Sequence, residues 1–150
     1  MSLTVRAVQV LARASTVPIE GAPEGRSAGF EVWRTDVWAS NAVISLAEAV
    51  RRARPSRLIL PSLAAQDILV EGEELDQLER EVDALLANIL AVVMRIRLAA
   101  PMIGHILDGS GTPRTPSESD VVESFRQRLL NIKEAVQFAR TVRGGGVEIA

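Results

Sequence analysis

Two apolar seams constrain this chain more than any other feature. Leu75, Leu78, Val82, Leu85, Ile89, Val92 and Ile96 fall at alternating spacings of three and four residues. At about 3.6 residues per turn, that spacing keeps one apolar line on one side of a helix. Val122, Phe125, Leu129, Ile132, Val136 and Ala139 repeat the pattern. The seams predict helices over about 73–98 and 116–143, and sequential helices of matched length pack as an antiparallel hairpin. From Leu86 onward, Leu90 and Val93 widen the first stripe, which predicts deeper burial in its second half.

The punctuation agrees with those limits. Thr115-Pro116-Ser117-Glu118 offers a cap, a proline at the first helical position and a glutamate able to reach back. Arg140 and Arg143 suit a helix C-terminus, and Gly144 follows them. A hairpin is open on its outer sides, so a third helix is expected to cover one of them. Ser40 can cap it, Val43, Leu46, Ala47 and Val50 give it an apolar side, and Pro55 ends it, placing it at about 40–53. The connection between the long helices, Ala99 to Arg114, is apolar at Met102, Ile103, Ile106 and Leu107, which predicts a packed helical turn.

The remaining apolar runs are short. Val5 to Leu11 alternates in part and is compatible with strand or helix, and Thr16 to Gly29 reads as a loop rich in proline and glycine. Phe30-Glu31-Val32-Trp33 alternates as a strand, which puts Trp33 on the face opposite Phe30 and Val32. Arg57-Leu58-Ile59-Leu60 and Asp67-Ile68-Leu69-Val70 suit strands or buried turns, and Val147-Glu148-Ile149 suits a short edge strand after the glycines 144–146. The expected fold is therefore α+β and helix-dominated: a long helical hairpin, a third helix, and a small antiparallel sheet from the N-terminal half. At 150 residues, one domain over 1–150 is expected.

Composition narrows function mainly by exclusion. With 47% hydrophobic and 24% charged residues, the chain has the makeup of a globular domain. It contains no cysteine, which removes disulfides, zinc–thiolate sites and thiol nucleophiles. A net charge of −2 argues against wholesale binding of a phosphate backbone. Lys133 is the only lysine among 17 basic residues, a bias consistent with a GC-rich bacterial genome. Met1 to Val17 carries Arg6 and Arg13 within its apolar stretch, so no signal peptide is expected. The apolar stretch Ala84 to Leu107 contains Asn88, Arg95, Arg97, Pro101 and His105. Each central arginine would cost about 2.5–3.5 kcal/mol in a bilayer, so a buried helix and a cytoplasmic protein are expected.

Candidate chemistry is sparse. His105 is the only histidine, and with Asp108 it would make an oriented base, but no serine stands in a nucleophile elbow. The pair Arg97 and His105 resembles the arginine–histidine signature of HEPN ribonucleases, with seven residues between them here, Pro101 among them. That resemblance implies a nucleic-acid-processing enzyme using His105 and nearby arginines. Gly109-Ser110-Gly111 precedes a helix, yet the strand and lysine of a phosphate-binding loop are missing. Arg51, Arg52, Arg54 and Arg57 cluster without interleaved aromatics. No catalytic residue, metal or cofactor is expected.

Charge asymmetry points instead to a partner. Residues 67–83 hold Asp67, Glu71, Glu73, Glu74, Asp76, Glu79, Glu81 and Asp83 against Arg80 alone, a local net of −7. Asp76 and Arg80 are spaced as an i,i+4 pair. Glu73, Glu74, Glu81 and Asp83 lie mostly off the seam, so they are expected to be exposed and to steer a basic protein. Trp33 and Trp38 are the other expected partner contacts: one is expected in the core and the other at the surface, where tryptophans anchor interfaces. The function expected is non-enzymatic protein binding: a small cytoplasmic partner or inhibitor, immunity- or antitoxin-like, or an assembly subunit. The alternative is a structural module whose seams drive homo-oligomerisation. The seam itself is directly testable. Leu85→Ala is expected to lower unfolding free energy by about 2–5 kcal/mol in urea titrations, whereas a loss below about 1 kcal/mol would put Leu85 on the surface.

Overall fold

Alternation decides the N-terminal run in favour of a strand. Leu3, Val5 and Ala7 are buried while Ser2, Thr4 and Arg6 are exposed, the period of two that a half-covered sheet imposes. The computed structural model describes residues 2–12, 15–52, 57–96 and 117–150, with the backbone of 106–107 and 113–114. Its main sheet has five strands: β1 (Ser2–Val10), β2 (Thr16–Pro18), β3 (Arg26–Phe30), β4 (Ile68–Glu71) and the C-terminal strand, β7 (Gly145–Ile149). All pairings are antiparallel. One edge of β1 is shared by β2, at Val8 to Val10, and by β3, at Ser2 to Val5; the other edge carries β7, and β4 lies beyond it.

The last residues of the chain therefore form an inner strand, with Val147 between Ala7 and Val70 and Ile149 between Val5 and Ile68. The expected edge position of Val147-Glu148-Ile149 is corrected, and so is a sheet drawn from the N-terminal half alone. The loop expected over Thr16 to Gly29 also contributes β2 and most of β3. The expected strand at 30–33 ends at Phe30; a turn and a π-helical turn, Arg34–Trp38, follow it. Between the long helices, Ile106–Leu107 (β5) and Pro113–Arg114 (β6) pair as a two-stranded ladder where a helical turn was expected. The rest of that connection lies outside the described residues.

The helices follow from the seams. Helix α1 (Asn41–Val50) is capped by Ser40, whose hydroxyl accepts the Val43 N–H at 3.2 Å. The short α2 (Ile59–Ser62) occupies the run read as strand or buried turn. The first seam spans two helices, α3 (Glu74–Ala87) and α4 (Ile89–Ile96), because Asn88 leaves helical geometry and its amide donates to the Ala84 carbonyl at 2.8 Å. An asparagine side chain competing for backbone groups is a physical cause of such a break. Leu75, Leu78, Val82, Leu85, Ile89 and Val92 are all buried despite it. Helix α5 (Glu118–Ala139) starts two residues later than the expected start at 116. Ser117 is its cap, and Asp120 returns the bond in a capping box.

Helix α5 joins the two layers. Phe125, Leu129, Ile132 and Val136 are fully buried, and α5 touches β1, β3 and β7 as well as α3 and α4. The helices cover one face of the sheet, the face that carries Leu3, Val5, Ala7, Ile68, Val70, Val147 and Ile149. Two glycines permit the closest approaches. Gly29 has φ +133, and a Cβ there would stand 2.5 Å from the Trp33 ring. At Gly145 a Cβ would stand 1.9 Å from the Ala139 carbonyl oxygen at the end of α5. That obstacle is backbone, which has little room to yield. Gly145→Ala is therefore expected to cost at least about 1–3 kcal/mol in chemical denaturation. A loss below about 0.5 kcal/mol would mean that α5 and β7 are not pressed together there.

Candidate interaction surface

The acidic segment is largely occupied within the fold. Along α3, Asp76 and Glu79 receive Arg140 of α5, at 2.6 and 2.8 Å, and Asp83 receives Lys133 at 2.6 Å. Glu74 pairs with Arg57 at 3.3 Å, and Asp67 with Arg34. The expected Asp76–Arg80 pair is not made, and the Arg80 Nε is buried with no acceptor among the described residues. Because these side chains are partly exposed, each pair is worth about 0–1 kcal/mol and is weakened by salt. Their larger effect is on the surface field. Arg57 and Lys133 lie against Glu74 and Asp83, two of the four carboxylates that were expected to steer a partner.

Glu81 departs furthest from expectation. It is 1% exposed, not a surface residue. Its carboxylate accepts the backbone N–H groups of Ile59 at 3.2 Å and Leu60 at 2.9 Å, which are free donors at the start of α2. The Gln77 amide donates to the same carboxylate at 2.9 Å and to the Arg57 carbonyl at 2.9 Å. The position that looked like an off-seam surface site thus fastens α2 onto α3. Burial raises the carboxyl pKa above its ordinary value of 4.5, outweighing those hydrogen bonds and the field of Arg80.

Trp33 and Trp38 are both 0% exposed, which corrects the surface role expected of one of them. The chain leaves strand geometry after Phe30, so the alternation that set Trp33 on the face opposite Phe30 no longer applies. In the π-helical turn, Trp33, Val37 and Trp38 fall on one buried side. Trp33 packs against Phe30 and Phe125 with ring centroids 5.6 Å away in each case, and Trp38 lies 6.3 Å from Trp33. These edge-on contacts and the buried area offset two indole N–H groups with no acceptor among the described residues. Of the remaining candidates, Glu73 is exposed, Glu74 is half-buried in its pair with Arg57, and Asp83 is half-buried beside Lys133. His105, Arg97, Asp108, Arg54 and Gly109-Ser110-Gly111 lie outside the described residues.

A different surface emerges at the other end of the hairpin. Leu90 is 52% exposed and Met94 is 61% exposed, one turn apart on α4. Val93 is buried, but the expected burial of Leu90 is corrected: the stripe widens outward, past the reach of α5. Beside it runs an open groove between α4 and the first turns of α5. Ile89, Leu90 and Val122 supply its apolar floor, and Glu118, Glu123 and Arg126 its charged rim. Val121 is buried, whereas Val122 is only partly buried against the core and leaves part of its side chain to the groove. The sequence signal for this surface was the apolar excess of α4, which has more apolar side chains than one seam can bury.

Comparison with known protein families, curated proteins and solved structures finds no match. Among the described residues, no group of three or more histidine, aspartate or glutamate side chains is placed to hold a metal ion. No described helix is long and apolar enough to cross a membrane.

The Glu81 clamp generates a pH prediction whose sign is fixed. A carboxyl whose folded pKa lies above its unfolded value binds protons more tightly when folded, so its contribution is fullest at low pH and is lost as pH rises through the folded pKa. Subtracting the stability of Glu81→Gln, measured in parallel, removes the other carboxylates. The wild-type-minus-variant difference is expected to fall as pH rises from 4.5 and then level off. A difference that grows with pH would mean that Glu81 is stabilised as an anion.

Proposed function

We propose that this chain is a non-enzymatic protein-binding protein, a small cytoplasmic partner, inhibitor or assembly subunit, and that it docks through the groove between α4 and α5. One observation carries the reading: Leu90 and Met94 are more than half exposed on successive turns, alongside an apolar floor with a charged rim. Single exposed apolar side chains are ordinary on soluble proteins. Two on one helical face, next to a groove, have the arrangement of an interface: an apolar centre ringed by polar groups.

The acidic segment is a weaker docking site by the same criteria. Its carboxylates already hold Arg140, Lys133, Arg57 and Arg34, so an incoming basic protein would have to compete with cations already in place. Long-range attraction follows net local charge, which these neighbours reduce.

A photoreactive benzoylphenylalanine in place of Met94, expressed in the native host and irradiated, is expected to form protein crosslinks. The same group in place of Glu73, on the acidic segment, is expected to form few. Leu90→Asp added to the Met94 probe should abolish the crosslinks with little change in melting temperature, since Leu90 contributes little to the core. Crosslinks at position 73 and none at 94 would overturn the assignment of the groove, and none at either position would overturn the protein-binding reading.

A further inference from the structure

The α5 side of the groove carries its lining residues in an order that bears on the occupant. Glu118, Val122 and Arg126 stand four residues apart on α5 and all line the groove. Along this ridge the chemistry runs acid, apolar, base. Such a ridge is complementary to itself when turned end for end. If a two-fold axis passes through Val122, then Val122 meets its own copy. Glu118 then meets the second copy's Arg126, and Arg126 the second copy's Glu118. A closed two-fold contact requires this reciprocity, with each residue facing the partner of its symmetry mate.

The groups on the ridge are available for such a contact. Glu118 is exposed and makes no ion pair among the described residues. Arg126 donates through one terminal nitrogen to Glu123 at 2.7 Å, leaving its other donors free of partners among the described residues. Leu90 and Met94 flank the ridge and would be covered by the second copy.

We infer that the α4–α5 groove is the interface of a two-fold homodimer, closed by reciprocal Glu118–Arg126 pairs across an apolar centre at Val122. This rests on the reading of the groove as a protein-binding surface and names its partner as a second copy of the chain.

The test is a charge swap followed by sedimentation velocity over a range of concentrations, with circular dichroism confirming that each variant folds. The wild type is expected at twice the mass of one chain at micromolar concentrations, with a dissociation constant that rises with salt. Glu118→Arg and Arg126→Glu are each expected to weaken the dimer by at least about ten-fold, because each places like charges opposite one another twice. The double variant restores both pairs and is expected to recover most of that loss. Val122→Asp should yield monomer. A wild type that stays monomeric at about 100-fold higher concentration overturns the inference. So does a dimer indifferent to the single swaps, or a double variant no tighter than the singles. A monomer that still crosslinks to another protein through position 94 would refute the homodimer and leave the protein-binding reading standing. A monomer with no crosslinks would refute both.

Discussion

The fold depends on the contact between the end of α5 and the strand that follows it. Only a few residues separate Ala139 from Gly145, and within them the chain turns from the helical layer into the middle of the sheet. The turn works because Gly144 takes φ +74 and Gly145 has no Cβ to strike the Ala139 carbonyl. β7 can then place Val147 and Ile149 beneath the same helix that led into it. Without β7, β4 has no neighbour in the sheet and β1 loses one edge. The sheet is thus completed by β7, and its pairing with β1 joins segments far apart in sequence. Loops that long carry a large closure entropy, which suits a late step in folding.

What the sequence disclosed and what it concealed divide by range. The seams were legible because a helix writes its buried face into a period of three and four residues, which needs no knowledge of the partner. The same holds for Ser40, whose cap is made within three residues; the cap of α5 is formed by Ser117 with Asp120, two residues beyond the expected Thr115 with Glu118. The central place of β7 was not legible, since Val147-Glu148-Ile149 looks alike at an edge or in the middle. Its neighbours, β1 and β4, are distant in sequence. The tryptophans were misread for a different reason. Alternation over Phe30 to Trp33 is real in the sequence, but four residues are too few to exclude the turn that ends the strand and buries both indoles.

The acidic segment illustrates the same division. Taken alone it is a strong local field. In the fold, a heptad step up α3 from Asp76 to Asp83 matches a heptad step down α5 from Arg140 to Lys133, as an antiparallel pair requires. That register was available from the two seams once aligned, and it would have turned several apparent partner contacts into intramolecular pairs. Glu81 offered no comparable signal, because the two N–H groups it accepts belong to a four-residue helix some twenty positions away.

The two ends of the hairpin consequently differ in what they lack. Near α3, Glu74, Asp76, Glu79 and Asp83 outside the seam meet opposite charges within the chain. Near α4, Leu90 and Met94 lie outside the seam, and α5 opposite them offers Val122 with Glu118 and Arg126. Each exposed pair at the α3 end contributes at most about 1 kcal/mol, whereas covering a large apolar side chain contributes about 1.5–3 kcal/mol. An association that covered the α4 end would therefore gain more than one at the α3 end. Asn88 stands at the boundary: by breaking the helix, it separates the segment whose carboxylates meet cations of α5 and Arg57 from the segment that leaves Leu90 and Met94 exposed.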